Sequence, residues 1–569
     1  MAAAAWRRQH ACLIAAGWGP YHAATQHLAP PQMAIIELTL ILLLITAVGG
    51  ALARWTPIGL PIFLVMVGAA ASLTPALDHV TIDPEVFLLL LIPPLLFADA
   101  RVLPRRDLLR VLQPVLLLAL GLVVLTVVAV GYFIHWLVPQ MPLAVAFTLG
   151  AIVTPTDAVA TVATTAGLPL PHRVSHIINA ESLLNDATGL VAFKLAVAAA
   201  AAAAGVTAAD VATSFVLLSG GGVLVGWAVE WLGRKLRERL IAAGADDPVV
   251  QTLLAVLIPY AAYLAAEALH VSGVLAVVIA GLAAGGKEVK GLSADGRRHA
   301  REVWRMLSWV FNGLVFVLLG LQLRHMLAAV GHYEPAWLVF LALALWLALM
   351  VLRMGWVWVS AHVRFRMQWG WAGPRGGPDV RRMFLVGWAA VRGSITLATA
   401  LSVPLLTSAG RPFPERELVV FLAAATIVLT LLLNGIPLPW LILRLQAHSD
   451  AVGEPEENAA RAEIARAGIA AVQPALLTAA DASQRDFVQQ LIHRYEGKIA
   501  LRDATPETAA ANAAHIASAR QLRLAGIAAE REALYRLHAG NAINDETLRV
   551  IEEELDAREM LSSADPLRG

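Results

Sequence analysis

Residues 179–190 read Asn-Ala-Glu-Ser-Leu-Leu-Asn-Asp-Ala-Thr-Gly-Leu, and they sit inside a long apolar segment, 174–203. Charged side chains inside such a segment are expensive in a bilayer and mark ion paths when they occur. Ser182 and Asp186 are four residues apart and share one helix face. Glu181 and Asn185 share another, rotated by roughly 100°. One face thus offers oxygen ligands to a hard monovalent cation, while Glu181 is free to reach a structural partner. Two acids this close repel when both are ionised, so the pattern requires a raised pKa or a nearby cation.

Working outward, the chain has 569 residues, 58% hydrophobic and only 15% charged. Apolar runs crowd 33–445, and 446–569 reads as ordinary water-soluble sequence. Spanning takes about 20 apolar residues. On that criterion about thirteen segments appear, near 33–52, 58–74, 85–100, 112–137, 143–166, 174–203, 210–232, 249–269, 272–286, 304–328, 335–361, 381–408 and 417–444. Basic residues then alternate between successive loops. Arg101, Arg105, Arg106 and Arg110 follow the third segment; Arg234, Lys235, Arg237 and Arg239 the seventh. The ninth is followed by Lys287, Lys290, Arg297, Arg298, Arg301 and Arg305, the eleventh by Arg364, Arg366, Arg375, Arg381 and Arg382. The loops near 75–84, 138–142, 204–209 and 270–271 carry no Lys or Arg, and Arg324, Arg411 and Arg416 are the mild exceptions. The positive-inside rule turns this into an odd number of spans, with the N-terminus outside and the C-terminus cytoplasmic. The expectation is an all-α polytopic protein of the bacterial inner (plasma) membrane, surrounded by lipid.

Two further places carry intramembrane polarity. Residues 151–160 read Ala-Ile-Val-Thr-Pro-Thr-Asp-Ala-Val-Ala. Pro155 removes a backbone hydrogen bond, Thr154 and Thr156 flank it, and Asp157 follows. A broken helix with a carboxylate at the break is how secondary transporters build cation sites; the plainer alternative is a kink with Asp157 paired to a neighbour. The other place is arginine. Arg353 lies deep in the eleventh segment and needs an anion, for which Glu181 is the best available acid, unless it snorkels. Arg392, in Ala-Ala-Val-Arg-Gly-Ser-Ile-Thr-Leu-Ala (389–398), opens a second Gly- and Ser-broken span. Lys194 marks the site's far mouth or reaches the interface, and Glu267 with His270 ends the eighth segment.

Several functions are disfavoured. A net charge of +1 suggests no nucleic-acid partner. Cys12 is the only cysteine, which excludes an intrachain disulfide framework and a Cys-based metal site. Ser182 has no histidine placed to act as a base, so no enzymatic role is expected, and no cofactor. Residues 1–32, with Arg7 and Arg8 before a short apolar stretch and Pro30-Pro31, read as a poorly ordered leader or an over-long start, with a cleaved signal as the alternative. The 446–569 tail, with amphipathic stretches at 517–538 and 545–558, reads as a regulatory or dimer-contacting cytoplasmic domain, or as a solvated helical appendage. The rival functions are a cation channel and a membrane-bound sensor working through that tail.

Over roughly 33–445 the sequence resembles the cation/proton antiporter family, in its NhaP-like branch of bacterial sodium/proton antiporters and animal sodium/hydrogen exchangers. The resemblance is carried by Ile-Pro-Pro-Leu-Leu-Phe (92–97), Thr-Pro-Thr-Asp (154–157), Glu-Ser-Leu-Leu-Asn-Asp (181–186), Val-Arg-Gly-Ser (391–394) and Asn-Gly-Leu-Val-Phe-Val-Leu-Leu-Gly-Leu (312–321). It implies a homodimer of about thirteen helices in inverted repeats, with an interface domain, a moving core domain, and broken fifth and twelfth helices that cross. Asp157 and Asp186 would alternately hold Na+ (or K+ or Li+) and H+, with Ser182 and Thr156 adding oxygens. Asn185 would belong to the same ion-binding set and mark electroneutral exchange, and Glu181 would pair with Arg353. Some relatives carry a glutamate on the third helix near the cation; here that stretch is Ile92-Pro93-Pro94, with acids only at Glu85 and Asp99.

Overall fold

The computed structural model describes residues 30–569 apart from 57, 75–83, 104, 166–171, 202–207, 286–288, 370–378, 408–409, 446–452, 479–480, 501–505, 541 and 564–569. The expected leader therefore lies outside the described residues up to 29. Two compact units emerge, Met1–Ser449 and Asp450–Gly569.

The first unit is helical. In chain order its helices are α1 (Pro30–Ala53), α2 (Leu60–Ala71), α3 (Pro84–Val102), α4 (Arg105–Leu116), α5 (Val123–Leu137), α6 (Leu143–Ile152), α7 (Ala158–Thr165), α8 (His172–Ala201) and α9 (Ala208–Ala242). There follow α10 (Pro248–Ala268), α11 (Gly273–Gly285), α12 (Ala294–Ala329), α13 (Pro335–Trp369), α14 (Val380–Trp388), α15 (Ser394–Leu401), α16 (Arg416–Leu429) and α17 (Leu438–Arg444). π-helical turns at Leu117–Leu122 and Thr430–Gly435 join α4 to α5 and lead from α16 towards α17. Among the described residues, seven helices are long and apolar enough to cross a membrane: Leu112–Leu137, Val174–Ala200, Ala209–Ala242, Pro248–Ala268, Ala294–Ala329, Pro335–Val363 and Arg416–Arg444. Shorter apolar helices, α2, α6 and α11 among them, fill other expected segments. The segments expected at 143–166 and 381–408 are each a pair of half-helices, α6/α7 and α14/α15.

Local chemistry sets the ends. Asp247 accepts hydrogen bonds from the amides of Val249 and Val250 at the start of α10, with Pro248 in the first turn. Ser293 caps α12 and Asp379 caps α14 in the same way. Small residues bring the helices together: a Cβ on Gly68 of α2 would run into the carbonyl of Val317 on α12, and one on Gly320 into that of Val65. Close backbone approach of this kind replaces the hydrophobic drive that lipid removes.

One buried cluster joins α2, α3, α11 and α12 around Leu64, Ile92, Phe97, Val277 and Val317. A second joins α5, α6, α13 and α16 around Ile134, Leu149, Leu345 and Leu422. Outward-facing positions stay apolar, with Trp136, Leu224, Trp227 and Leu347 exposed, as a lipid-facing surface requires. The second unit contains α18 (Gly453–Val472), α19 (Ala475–Thr478), α20 (Ala482–Ala500), α21 (Pro506–Ala539) and α22 (Asp545–Ser563). α21 and α22 pack through Ile527, Leu534 and Leu555, with ion pairs Arg558–Glu530 and Arg531–Asp556 beside them.

Candidate functional site

The two breaks meet. Helix α6 ends at Ile152, and Thr154–Asp157 run as irregular backbone before α7 begins. On the other side α14 stops at Trp388 and α15 starts at Ser394. The Asp157 amide donates to the Val391 carbonyl (2.7 Å), and the Thr161 hydroxyl to the Ala389 carbonyl (3.1 Å). Irregular backbone at membrane depth is tolerated where such partners, or a cavity, replace the helical ones.

Pro155 sits at the first break. One residue on from Thr156, Asp157 caps α7: its Oδ1 accepts from the Ala160 amide at 2.9 Å, placing the carboxylate at the positive end of that half-helix. Helix α8 closes the site from the side. Ser182 Oγ accepts from the Ala158 amide (3.1 Å) and donates to the Thr156 carbonyl. Asp186 lies one turn on, and both line a small cavity of about 20 Å³ with Thr156, Asp157, Ser394 and Thr396. Apart from Asp99, discussed below, its lining holds no further charge, so the site's field is negative and suited to a cation.

Glu181 and Asn185 face elsewhere, as their 100° rotation from Ser182 and Asp186 requires. Glu181 takes a bidentate pair from Arg353 of α13, at 2.5 and 2.7 Å. Both side chains are almost wholly buried. The remaining Arg353 donors go to the carbonyls of Val386 and Gly387 on α14. Asn185 is counted among the ion-binding residues by the family resemblance. Its Nδ2 donates to Thr156 Oγ1 (2.8 Å) and to Glu181 Oε1 (3.3 Å), and its side chain is not part of the cavity lining. It couples the ion pair to the first break.

Arg392 is buried too, and its guanidinium meets carbonyls: Nε donates to Val153 O (3.1 Å) and Nη1 to Ala390 O (3.0 Å). These are the C-terminal ends of half-helices α6 and α14, where a positive charge offsets both dipoles. Gly393 beside it has no room for a side chain, because a Cβ there would collide with the Asp157 carboxylate. Farther along α8, the half-exposed Lys194 pairs with Glu267 of α10 at 2.6 Å.

Three side chains at or next to the site carried no adequate sequence signal. Asp99 of α3 lies near the end of its apolar segment, yet it lines the same cavity as Asp157 and Asp186. Its sequence signal is the acid itself; what the sequence does not show is that the cavity reaches that end of α3. Thr430 and Asn434 are uncharged, and although Gly435, Pro437 and Pro439 punctuate the chain just after them, nothing in the sequence says which groups their side chains meet.

The sequence pattern of the family described as "Sodium/hydrogen exchanger, transmembrane" matches residues 40–444. The chain is 37% identical to the uncharacterized Na+/H+ exchanger YjcE of Escherichia coli (strain K12), over 93% of this chain and 99% of that one. It is 33% identical to the sodium, potassium, lithium and rubidium/H+ antiporter of Bacillus pumilus (strain SAFR-032), over 93% of this chain and 78% of that one. In three dimensions it superposes on the sodium proton antiporter MjNhaP1 of Methanocaldococcus jannaschii with a TM-score of 0.54 at 18% identity, covering 73% of this chain and 98% of that one. The structural likeness shows the fold, and the relatives are membrane transporters, not enzymes. The chain belongs to the sodium/hydrogen exchanger family.

Proposed function

We propose that this transporter exchanges Na+, or K+ or Li+, for H+ across the bacterial inner membrane, with both ions competing for Asp157 and Asp186. The observation that carries the reading is the convergence of the two carboxylates with Ser182 and Thr156 on one cavity where two broken helices cross. Deprotonated, the pair holds a desolvated cation together with hydroxyl and carbonyl oxygens; protonation removes the charge that held it, and the cation leaves. Exposure of the loaded site alternates between the two membrane faces, so a downhill proton drives the cation uphill. The name of the Bacillus pumilus relative covers the same cations.

Exchange is electroneutral in this reading. Position 185, where electrogenic relatives are expected to carry a second aspartate, is a neutral amide engaged by Thr156 and Glu181. The working unit is a homodimer of a transmembrane domain (33–445) with the N-terminus outside, and the 446–569 tail makes regulatory contacts in the cytoplasm. In everted vesicles, Asp157→Asn and Asp186→Asn each reduce cation-driven proton movement to background. Full exchange in either variant, at matched amounts of protein in the membrane, sinks the assignment.

A further inference from the structure

The second break leaves backbone groups that no helix pairs: the carbonyls of Trp388 and Ala390, and the amide of Arg392. They are met by α16's continuation, where Thr430–Gly435 winds as a π-helix. Asn434 Nδ2 donates to Trp388 O (3.1 Å) and Ala390 O (3.4 Å), and Thr430 Oγ1 accepts from the Arg392 amide at 3.0 Å. Both side chains are fully buried. Each is held from behind as well. Trp346 Nε1 donates to Asn434 Oδ1 at 3.0 Å, and the Thr430 hydroxyl donates to Ile427 O at 3.1 Å. The Trp388 indole closes the loop on the Asn434 carbonyl (3.2 Å). A π-turn inside an α-helix is rare and recurs at functional sites.

Arg392 stands next to the cation site on both sides. Val391 before it accepts the Asp157 amide, and Gly393 after it lies against the Asp157 carboxylate. Neither Thr430 nor Asn434 lines the cavity. We infer that Thr430 and Asn434 are positioning residues for cation exchange: through the backbone of 388–392 they fix where the Asp157 carboxylate stands. They touch neither ion. The inference rests on the reading of Asp157 as an exchanging carboxylate.

Proton flux in proteoliposomes of the full-length chain, started by added Na+, tests it through half-saturation and pH profile. A residue that only supports folding would change the amount of active protein and leave both unmoved. Thr430→Val keeps the volume and deletes the hydroxyl. It raises the half-saturating Na+ concentration about tenfold, the equivalent of about 1.4 kcal/mol, and displaces the pH profile, with maximal flux and accumulation kept. Thr430→Ser keeps the hydroxyl and behaves as wild type. Trp346→Phe, which frees the Asn434 amide, gives a smaller rise in the same direction. Wild-type half-saturation and pH profile in both Thr430→Val and Trp346→Phe overturn the inference; if Thr430→Val does not accumulate, Trp346→Phe decides alone. Asp157→Asn, run alongside, separates the two readings: full exchange there refutes the role of Asp157 whatever the Thr430 variants do.

Discussion

At the scale of single residues, the membrane interior sorts four ionisable side chains into two kinds. Asp157 and Asp186 face a cavity. Glu181 and Arg353 face each other, with the leftover arginine donors on carbonyls. A buried pair contributes little net stability, but removing one partner strands a charge and costs about 3–5 kcal/mol. Arg353→Leu alone is therefore expected to lower the melting temperature and yield of detergent-purified protein sharply. Replacing both partners with apolar residues of similar volume recovers most of that stability. An Arg353→Leu protein as stable as wild type contradicts the assignment of this pair as structural. The sorting was partly legible in the sequence, since the i,i+4 spacings place Ser182 with Asp186 and Glu181 with Asn185. The partners of Arg392 were not, because they are main-chain carbonyls that exist only once two helices have stopped short. Asp99 is readable as an acid, but its place in the cavity lining is not, because distance from the middle of an apolar run does not say which helices meet around a cavity.

At the scale of elements, the breaks in α6/α7 and α14/α15 matter more than any unbroken span. Pro155 announces the first, and Gly393 with Ser394 the second. What sequence could not supply was their contact, a pairing across more than two hundred residues through Asp157 and Val391. It also could not supply the π-turn at Thr430–Gly435, since Gly435 and Pro437 signal an interruption there without specifying its geometry. Gly393 is the tightest point of the crossing. Gly393→Ala places a methyl group on the Asp157 carboxylate and is expected to lower cation-driven flux at least tenfold. Gly355→Ala, where a Cβ meets nothing within 4 Å, is expected to exchange as wild type and to gain up to about 1 kcal/mol in helix stability. Equal activity of the two variants would show that the crossing has slack. Vesicle flux at matched protein amounts decides between them.

At the scale of the whole molecule, the apolar periodicity and the alternation of basic loops already described a multispanning helical protein, and seven helices of spanning length stand among the described residues. Length and hydropathy do not separate short half-helices from full crossings, so the number of spans is less legible than their presence. The neutral amide at Asn185 predicts one charge moved each way per cycle. Clamping the membrane potential with potassium and valinomycin in proteoliposomes is then expected to leave Na+-driven proton flux unchanged, whereas flux that follows the clamp means net charge is carried. The most direct measurement of the central claim is the half-saturating cation concentration as a function of pH in the same proteoliposomes. Competition for one pair of carboxylates predicts that it rises as pH falls, by up to about tenfold per pH unit for each proton displaced, while maximal flux stays constant. It further predicts that Asp186→Asn abolishes the flux. A half-saturation that does not move with pH, or full exchange in Asp186→Asn, would contradict it.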